Sequence, residues 1–334
     1  MQKDAKKIIF TEEDTAFKSS FLVLDLNTKN LQRIPFHEDL EDTNTIRRDY
    51  FRPFGITVHE DEIFVASNSK LCVFDKDTFE FKRSEHASIN ENTHELYSDS
   101  KTLWIVDTSQ NRIIARKKTP YGSSERILKI EDDENFIDDG RFDPLEKVHG
   151  HKRPFKNFNH HWYNRWLNDK EPLTKWPHDH NHLNSVVDYN NSIFILESNI
   201  GHKLLKPSLL IEVDKNNFNI INKYKLSDKK LNPHSLVRQG DILWFLSTHL
   251  GYLHCYDLKS KKIIDNFFID NPKTFWARGL ALVNNLLYIG VGGVRSAKRM
   301  SQNKILVFDI IKKKMVDMIY IEGSYSAINQ INTL

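Results

Sequence analysis

His94, His182 and His234 are three of the 15 histidines in this chain of 334 residues, and each stands at or beside the same point of a repeated phrase. Neutral imidazole nitrogens suit zinc, manganese and iron, and a nearby carboxylate, Glu197 or Asp107, shifts the preference toward the harder ions. A divalent metal ion with an open coordination position could activate water or polarise a carbonyl. Glu197, Arg278 and Asn184 are the catalytic candidates beside such a centre, with Glu197 as ligand or general base and Arg278 and Arg295 neutralising an anionic substrate. These residues are far apart in the chain, so the chemistry depends on a fold that gathers them.

The repeated phrase supplies that fold. It reads Phe54-Gly-Ile-Thr-Val, His94-Glu-Leu-Tyr-Ser, Asn184-Ser-Val-Val-Asp, His234-Ser-Leu-Val-Arg and Arg278-Gly-Leu-Ala-Leu, each followed by a polar turn and a strand with an aromatic residue. Ten residues separate the first position from that aromatic every time, Phe64, Trp104, Phe194, Trp244 and Tyr288 in turn. Fixed spacing of this kind means a β-hairpin used as a module. Third strands follow in Leu71-Cys-Val-Phe-Asp, Leu209-Leu-Ile-Glu-Val-Asp, Leu253-His-Cys-Tyr-Asp and Ile305-Leu-Val-Phe-Asp, and fourth strands in Ile220-Ile-Asn-Lys-Tyr and Ile263-Ile-Asp-Asn-Phe-Phe. Four strands per repeat is a propeller blade.

The fold class is therefore all-β, a single β-propeller over residues 1–334. The phrases start 40, 90, 50 and 44 residues apart, and a sixth start falls near Tyr325. That last strand has nothing after it to pair with, so Ile8-Ile-Phe and Phe21-Leu-Val-Leu-Asp-Leu are expected to complete its blade and close the ring. Six blades result, with five or seven left open by the boundaries.

The longest gap, about twice its neighbours, holds an inserted segment, residues 136–181, between the third and fourth blades. It carries Trp162, Trp166 and Trp176 together with His149, His151, His160, His161, His178 and His180. Long non-repeat segments in compact folds are usually lids or binding loops. Because it runs directly into an innermost strand through His178-Asp-His-Asn-His-Leu-Asn184, it should cover the mouth of the ring at which those strands begin. Phe54, His94, Asn184 with His182, His234, Arg278 and Tyr325 would line a polar funnel there. Loops of the same face add His202, His249 and Arg295. Arg295, His249, His202, Trp176 and Tyr325 are the substrate-binding candidates.

Composition narrows the function. Lys and Arg outnumber Asp and Glu by 48 to 45, a net charge of +3, and no basic run is interleaved with stacking aromatics, which argues against a nucleic-acid partner. No apolar run approaches membrane-spanning length and no leader precedes Thr11-Glu-Glu-Asp, so no membrane partner and a cytoplasmic location are expected. Cys72 and Cys255 lie in strand patterns and read as buried thiols. There is no GxSxG elbow, phosphate loop, dinucleotide fingerprint or HExxH.

Pro233-His-Ser-Leu, Gly240-Asp-Ile-Leu-Trp-Phe-Leu-Ser, Arg278-Gly-Leu-Ala-Leu and Tyr288-Ile-Gly-Val, preceded by His182-Leu-Asn-Ser, resemble a bacterial family of uncharacterised cytoplasmic β-propellers with H-x-N-G, P-H-S and R-G-L-A motifs. The resemblance covers roughly residues 180–330, and Ser185 stands where that family more often has Gly. It implies a propeller and points to His182, Asn184, His234 and Arg278, but carries no activity. Two functions are compatible with the whole: a metal-dependent lyase or hydrolase of a small anionic or carbohydrate substrate, and a non-catalytic propeller that grips a glycan or a partner protein through the same face.

Overall fold

The structure is a computed structural model that describes residues 6–12, 20–36, 53–67, 70–86, 93–119, 122–130, 182–198, 207–227, 231–248, 250–272, 274–293, 302–322 and 327–334. Strands in these residues form six antiparallel sheets of four, the blades of a β-propeller. Blade 1 takes its innermost strand from the C-terminal end, Ile328–Thr333, and its other three from Lys7–Glu12, Ser20–Asp25 and Leu31–Pro35. Ile8 pairs with Thr333 and Phe10 with Ile331, so the two ends of the chain close the ring as the repeat count requires. The innermost strands of blades 2 to 6 are Ile56–His59, Thr93–Ser98, Leu183–Tyr189, Pro233–Gln239 and Phe275–Val283. The inserted segment 136–181 lies outside the described residues.

Six apolar clusters hold the ring, one between each pair of neighbouring blades. A middle strand is covered on both faces, which is why runs such as Ile193-Phe-Ile-Leu196 are apolar throughout and fully buried. Outer strands face solvent and turn polar, as in Phe81–His86. Cys72 and Cys255 are buried free thiols in these clusters.

One turn recurs at the rim. Asp25, Asp75, Asp214, Asp257 and Asp309 each accept hydrogen bonds from the backbone N–H groups two and three residues on. Four residues after each Asp, Lys29, Phe79, Phe218, Lys261 and Lys313 turn the chain with φ between 53° and 65°. The side-chain oxygen stands in for the missing ladder partner and ends the third strand.

The feature that builds the site is an irregularity near the start of every innermost strand. The pairing shifts register between Thr93 and Glu95, Leu183 and Ser185, His234 and Leu236, and Ala277 and Leu280, and again where the strand Ile328–Thr333 leaves Asn329 unpaired. In blade 2 the backbone of Ala66 bonds to both Phe54 and Gly55. A bulge sets two successive residues against one on the partner and re-aims their side chains. Strict alternation would have sent only one of each pair toward the axis. The equivalent pair in blade 1 is Asn329 and Gln330, so Asn329 takes the axial position expected near Tyr325. The ten-residue spacing could not set that register, because the pairing strand lies at the other end of the chain.

Candidate functional site

The first residues of the six bulges, Phe54, His94, Asn184, His234, Arg278 and Asn329, are contributed by six different blades, as expected of a ring around the axis. Asn184 Nδ2 donates to Pro233 O at 2.6 Å, and in the matching place Asn329 Nδ2 donates to Pro53 O at 3.3 Å. Each amide thus reaches the residue just before the next blade's axial position. Threonines make a second set of ties, Thr11 to Phe54 O, Thr108 to Leu183 O and Thr248 to Ala277 O, at 2.6, 2.6 and 2.8 Å.

The three sequence-selected histidines meet. The ring of His94 packs edge-on against His182 with centroids 4.8 Å apart and lies 6.2 Å from His234. Phe54 lies parallel to His94 with ring centroids 6.0 Å apart. Burial holds His94 and His234 well below the ordinary imidazole range, helped at His94 by His182 and Arg278 and at His234 by Arg278, His94 and His182. Both rings are therefore neutral at physiological pH. The side chain of Asn184 also bonds His94, which favours its protonated form but does not outweigh burial.

The tautomer of His234 follows from its partners. Nδ1 lies 3.1 Å from Asn232 O and 2.9 Å from Thr248 Oγ1, and that hydroxyl donates its own hydrogen to Ala277 O. Both partners accept, so Nδ1 carries the proton and Nε2 presents a bare lone pair. Nε2 is buried and has no hydrogen-bond partner among the described residues, in a residue only 5% exposed. The guanidinium of Arg278 rests 4.9 Å from the ring centre of Trp276 and adds a fixed positive charge near both imidazoles.

The second residues of the bulges make a lower ring, which alternation concealed from a reading of the sequence. Glu95 is fully enclosed and bonded to the hydroxyls of Ser185 and Ser235, while Leu236 N–H donates to Ser185 Oγ at 2.8 Å. Burial raises the Glu95 carboxyl to about 8 against the pull of the two hydroxyls and of Ser235 N–H. Gln330 spans blades 1 to 3: its Oε1 accepts from Ile56 N–H at 2.7 Å and Leu96 N–H at 3.1 Å, and its Nε2 donates to Leu96 O at 2.6 Å. Gly55 and Gly279 complete the ring. A Cβ on Gly55 would sit 2.9 Å from Leu96 N, and one on Gly279 would sit 2.7 Å from Ile331 Cγ1. The small residues directly after Phe54, Asn184, His234 and Arg278 were the available signal for this layer.

The other candidates fall into two groups. Asp107 is fully buried and ion-paired to Arg112 Nε at 2.7 Å, so its carboxylate is engaged within blade 3. Glu197 is buried opposite Leu183 on the adjoining strand, next to Ser198, whose N–H donates to His182 O at 3.1 Å. Arg295, His249, His202, Trp176 and Tyr325 lie outside the described residues. Among the described residues no three His, Cys, Asp or Glu side chains are grouped to hold a metal ion. His94 packs edge-on against His182, and the Arg278 charge stands near His94 and His234, where it disfavours a second cation. A cavity of about 530 Å³ opens between blades 3 and 4, lined by residues such as Tyr97, Trp104, Arg126 and Lys215, and another of about 400 Å³ opens between blades 2 and 3; neither is lined by the axial residues.

No protein-family model and no curated protein matches the chain. Solved structures do. A protein of unknown function from Bacteroides caccae superposes over 99% of both chains with a TM-score of 0.60 at 12% identity. The β-propeller domain of Cps50 (Swd1) from Myceliophteria thermophila aligns over 99% of this chain and 90% of its own, with a TM-score of 0.54 at 9% identity. A chain of a nidogen/laminin complex aligns over 98% and 97%, with a TM-score of 0.59 at 9% identity. At these identities the likeness concerns the fold, and it places the chain among the β-propellers. The motif resemblance drawn from residues 180–330 is supported at that level alone.

Proposed function

We propose that the axial funnel binds a small hydroxylated anion, an organic acid or acidic sugar, with Arg278 taking the anionic group and His234 Nε2 accepting a hydrogen bond from a ligand hydroxyl. The observation that carries this reading is the Arg278 charge beside a buried lone pair that meets no donor among the described residues. A buried acceptor without a donor costs roughly 1–3 kcal/mol, which a ligand hydroxyl would recover on binding. The neutral ring of His94 adds a directional donor or acceptor without a second charge, which suits a ligand with a single anionic group. On this reading the protein is a binding propeller, in keeping with the second function compatible with the sequence.

Enzymatic action on the same ligand, as a lyase or hydrolase, is a second reading supported by His234 alone. A neutral imidazole with a bare Nε2 and its other nitrogen held by a carbonyl is equipped to take a proton from a ligand carbon or from water.

Calorimetric titration with glucuronate, gluconate, citrate and phosphate, with glucose as a neutral control, tests the proposal. Binding of the hydroxylated acids, weakened at least about tenfold in Arg278→Gln and absent for glucose, is the expected result. Failure of all four anions to bind, in the presence or absence of zinc or manganese, would overturn it. Release of an unsaturated acid or a hydrolysed product on long incubation, lost in His234→Ala, would establish the enzyme reading.

A further inference from the structure

Ser235 has φ of 51°, in the left-handed region that a residue with a Cβ seldom enters. It sits immediately after His234, and its hydroxyl and N–H both go to one group, the carboxyl of Glu95 from blade 3. The same carboxyl holds Ser185, the neighbour of Asn184, and Ser185 in turn accepts from Leu236 N–H. Glu95 itself is the chain neighbour of His94. One buried side chain therefore joins the three inner strands that carry His94, Asn184 and His234, each at the residue directly below the axial one.

We propose that Glu95 is the positioning residue of the axial site: its grip on Ser235 keeps that residue in the left-handed conformation that turns His234 Nε2 toward the funnel. Left-handed backbone at a residue other than glycine is unfavourable and persists only where the surroundings over-determine it. Without the carboxyl, Ser235 loses the two bonds that offset this cost and relaxes. The ring of His234 then leaves Asn232 O and Thr248 Oγ1, and the single tautomer is lost. Gln330 supplies a contrast, since it ties blades 1, 2 and 3 in the same layer without bonding Ser185 or Ser235. The inference rests on the reading of His234 as a ligand-facing acceptor, but its test needs no ligand.

The experiment is nitrogen NMR of isotope-labelled histidine in the full chain, comparing Glu95→Ala, Glu95→Gln and Gln330→Ala with the parent, with thermal unfolding run in parallel. The parent should show His234 with one protonated and one bare nitrogen. Glu95→Ala should replace that pattern by an averaged one, Glu95→Gln should restore it through its amide oxygen, and Gln330→Ala should lower the unfolding temperature while leaving the pattern intact. A folded Glu95→Ala protein that keeps the parent pattern overturns the proposal. Should that variant not fold, Ser235→Ala decides: averaging of the two nitrogens supports the role of the grip, and an unchanged pattern overturns it. Adding glucuronate afterwards separates the two readings, because an intact tautomer effect without anion binding would leave the positioning role standing and remove only the proposed function.

Discussion

Thr248 Oγ1 stands 2.9 Å from His234 Nδ1 and donates to Ala277 O at 2.8 Å, so one hydroxyl connects the imidazole of blade 5 to the residue before Arg278 in blade 6. The two groups assigned to the ligand are thereby held at a set distance by a bond that neither makes directly. Replacing Thr248 by Val strands the carbonyl of Ala277 and should cost about 1–3 kcal/mol in urea unfolding. It should also weaken anion binding. Thr11→Val, which strands Phe54 O in the same way but does not touch His234 or the residue before Arg278, should lower stability and weaken binding less.

Arg278→Gln removes a charge that presses the protons off two buried imidazoles. Besides the loss of anion affinity, the titrations of His94 and His234 should move up toward the ordinary imidazole value of 6.5, while burial still keeps them below it. Histidine NMR over acid pH reads this shift. An unchanged titration of both rings would mean that Arg278 does not face them.

The axial groups should give stability a maximum near pH 6.5. Glu95 titrates at about 8 in the fold against an ordinary 4.5, so the folded form keeps a proton that the unfolded chain releases, and this contribution declines as pH rises from 4.5 to 8. His94 and His234 act in the opposite sense. Below 6.5 the unfolded chain takes up protons that the buried rings refuse, so stability falls as pH drops. His254, lowered to about 4 chiefly by burial, adds to the acid limb. Glu95→Gln should flatten the alkaline limb between pH 6.5 and 8 and keep the acid one, as measured by denaturant unfolding across the range.

Much of this was legible in the chain. The ten-residue spacing from His234 to Trp244 and its equivalents disclosed the hairpin module, and the module disclosed the ring, its closure and the meeting of His94, His182 and His234. What stayed hidden was everything that depends on the bulge. Glu95 follows His94 directly, and in a regular strand it would point away from the axis, so the sequence points instead to Asp107, which is engaged by Arg112, and to Glu197, which is buried beside Leu183. No group able to hold a metal ion is found among the described residues: three imidazoles at equivalent positions share a neighbourhood, but equivalence of position does not by itself aim their nitrogens at one point.

The lower ring makes its own prediction at the glycines. Gly279→Ala places a methyl group 2.7 Å from Ile331 Cγ1 and 3.1 Å from Ile331 N, and Gly55→Ala places one 2.9 Å from Leu96 N. Each should destabilise the ring by about 1–3 kcal/mol through overpacking against backbone that cannot yield easily. Gly240→Ala, with nothing within 4 Å of the new methyl, should act only through its φ of 59°. Denaturation midpoints of the three variants distinguish crowding from backbone strain.

Gln330 bonds to Ile56 and Leu96 across 274 and 234 positions of sequence. Contacts so distant in the chain form late, because the loop entropy they close is recovered only when nearly everything between is in place. Blades 2 to 6 can each assemble from neighbouring segments, but the floor of the funnel waits for the strand Ile328–Thr333 to arrive. A partly folded molecule thus has histidines and no pocket. Ligand capture would report that the circle is complete, and a ligand present during synthesis would act on the last step of folding and on none of the earlier ones.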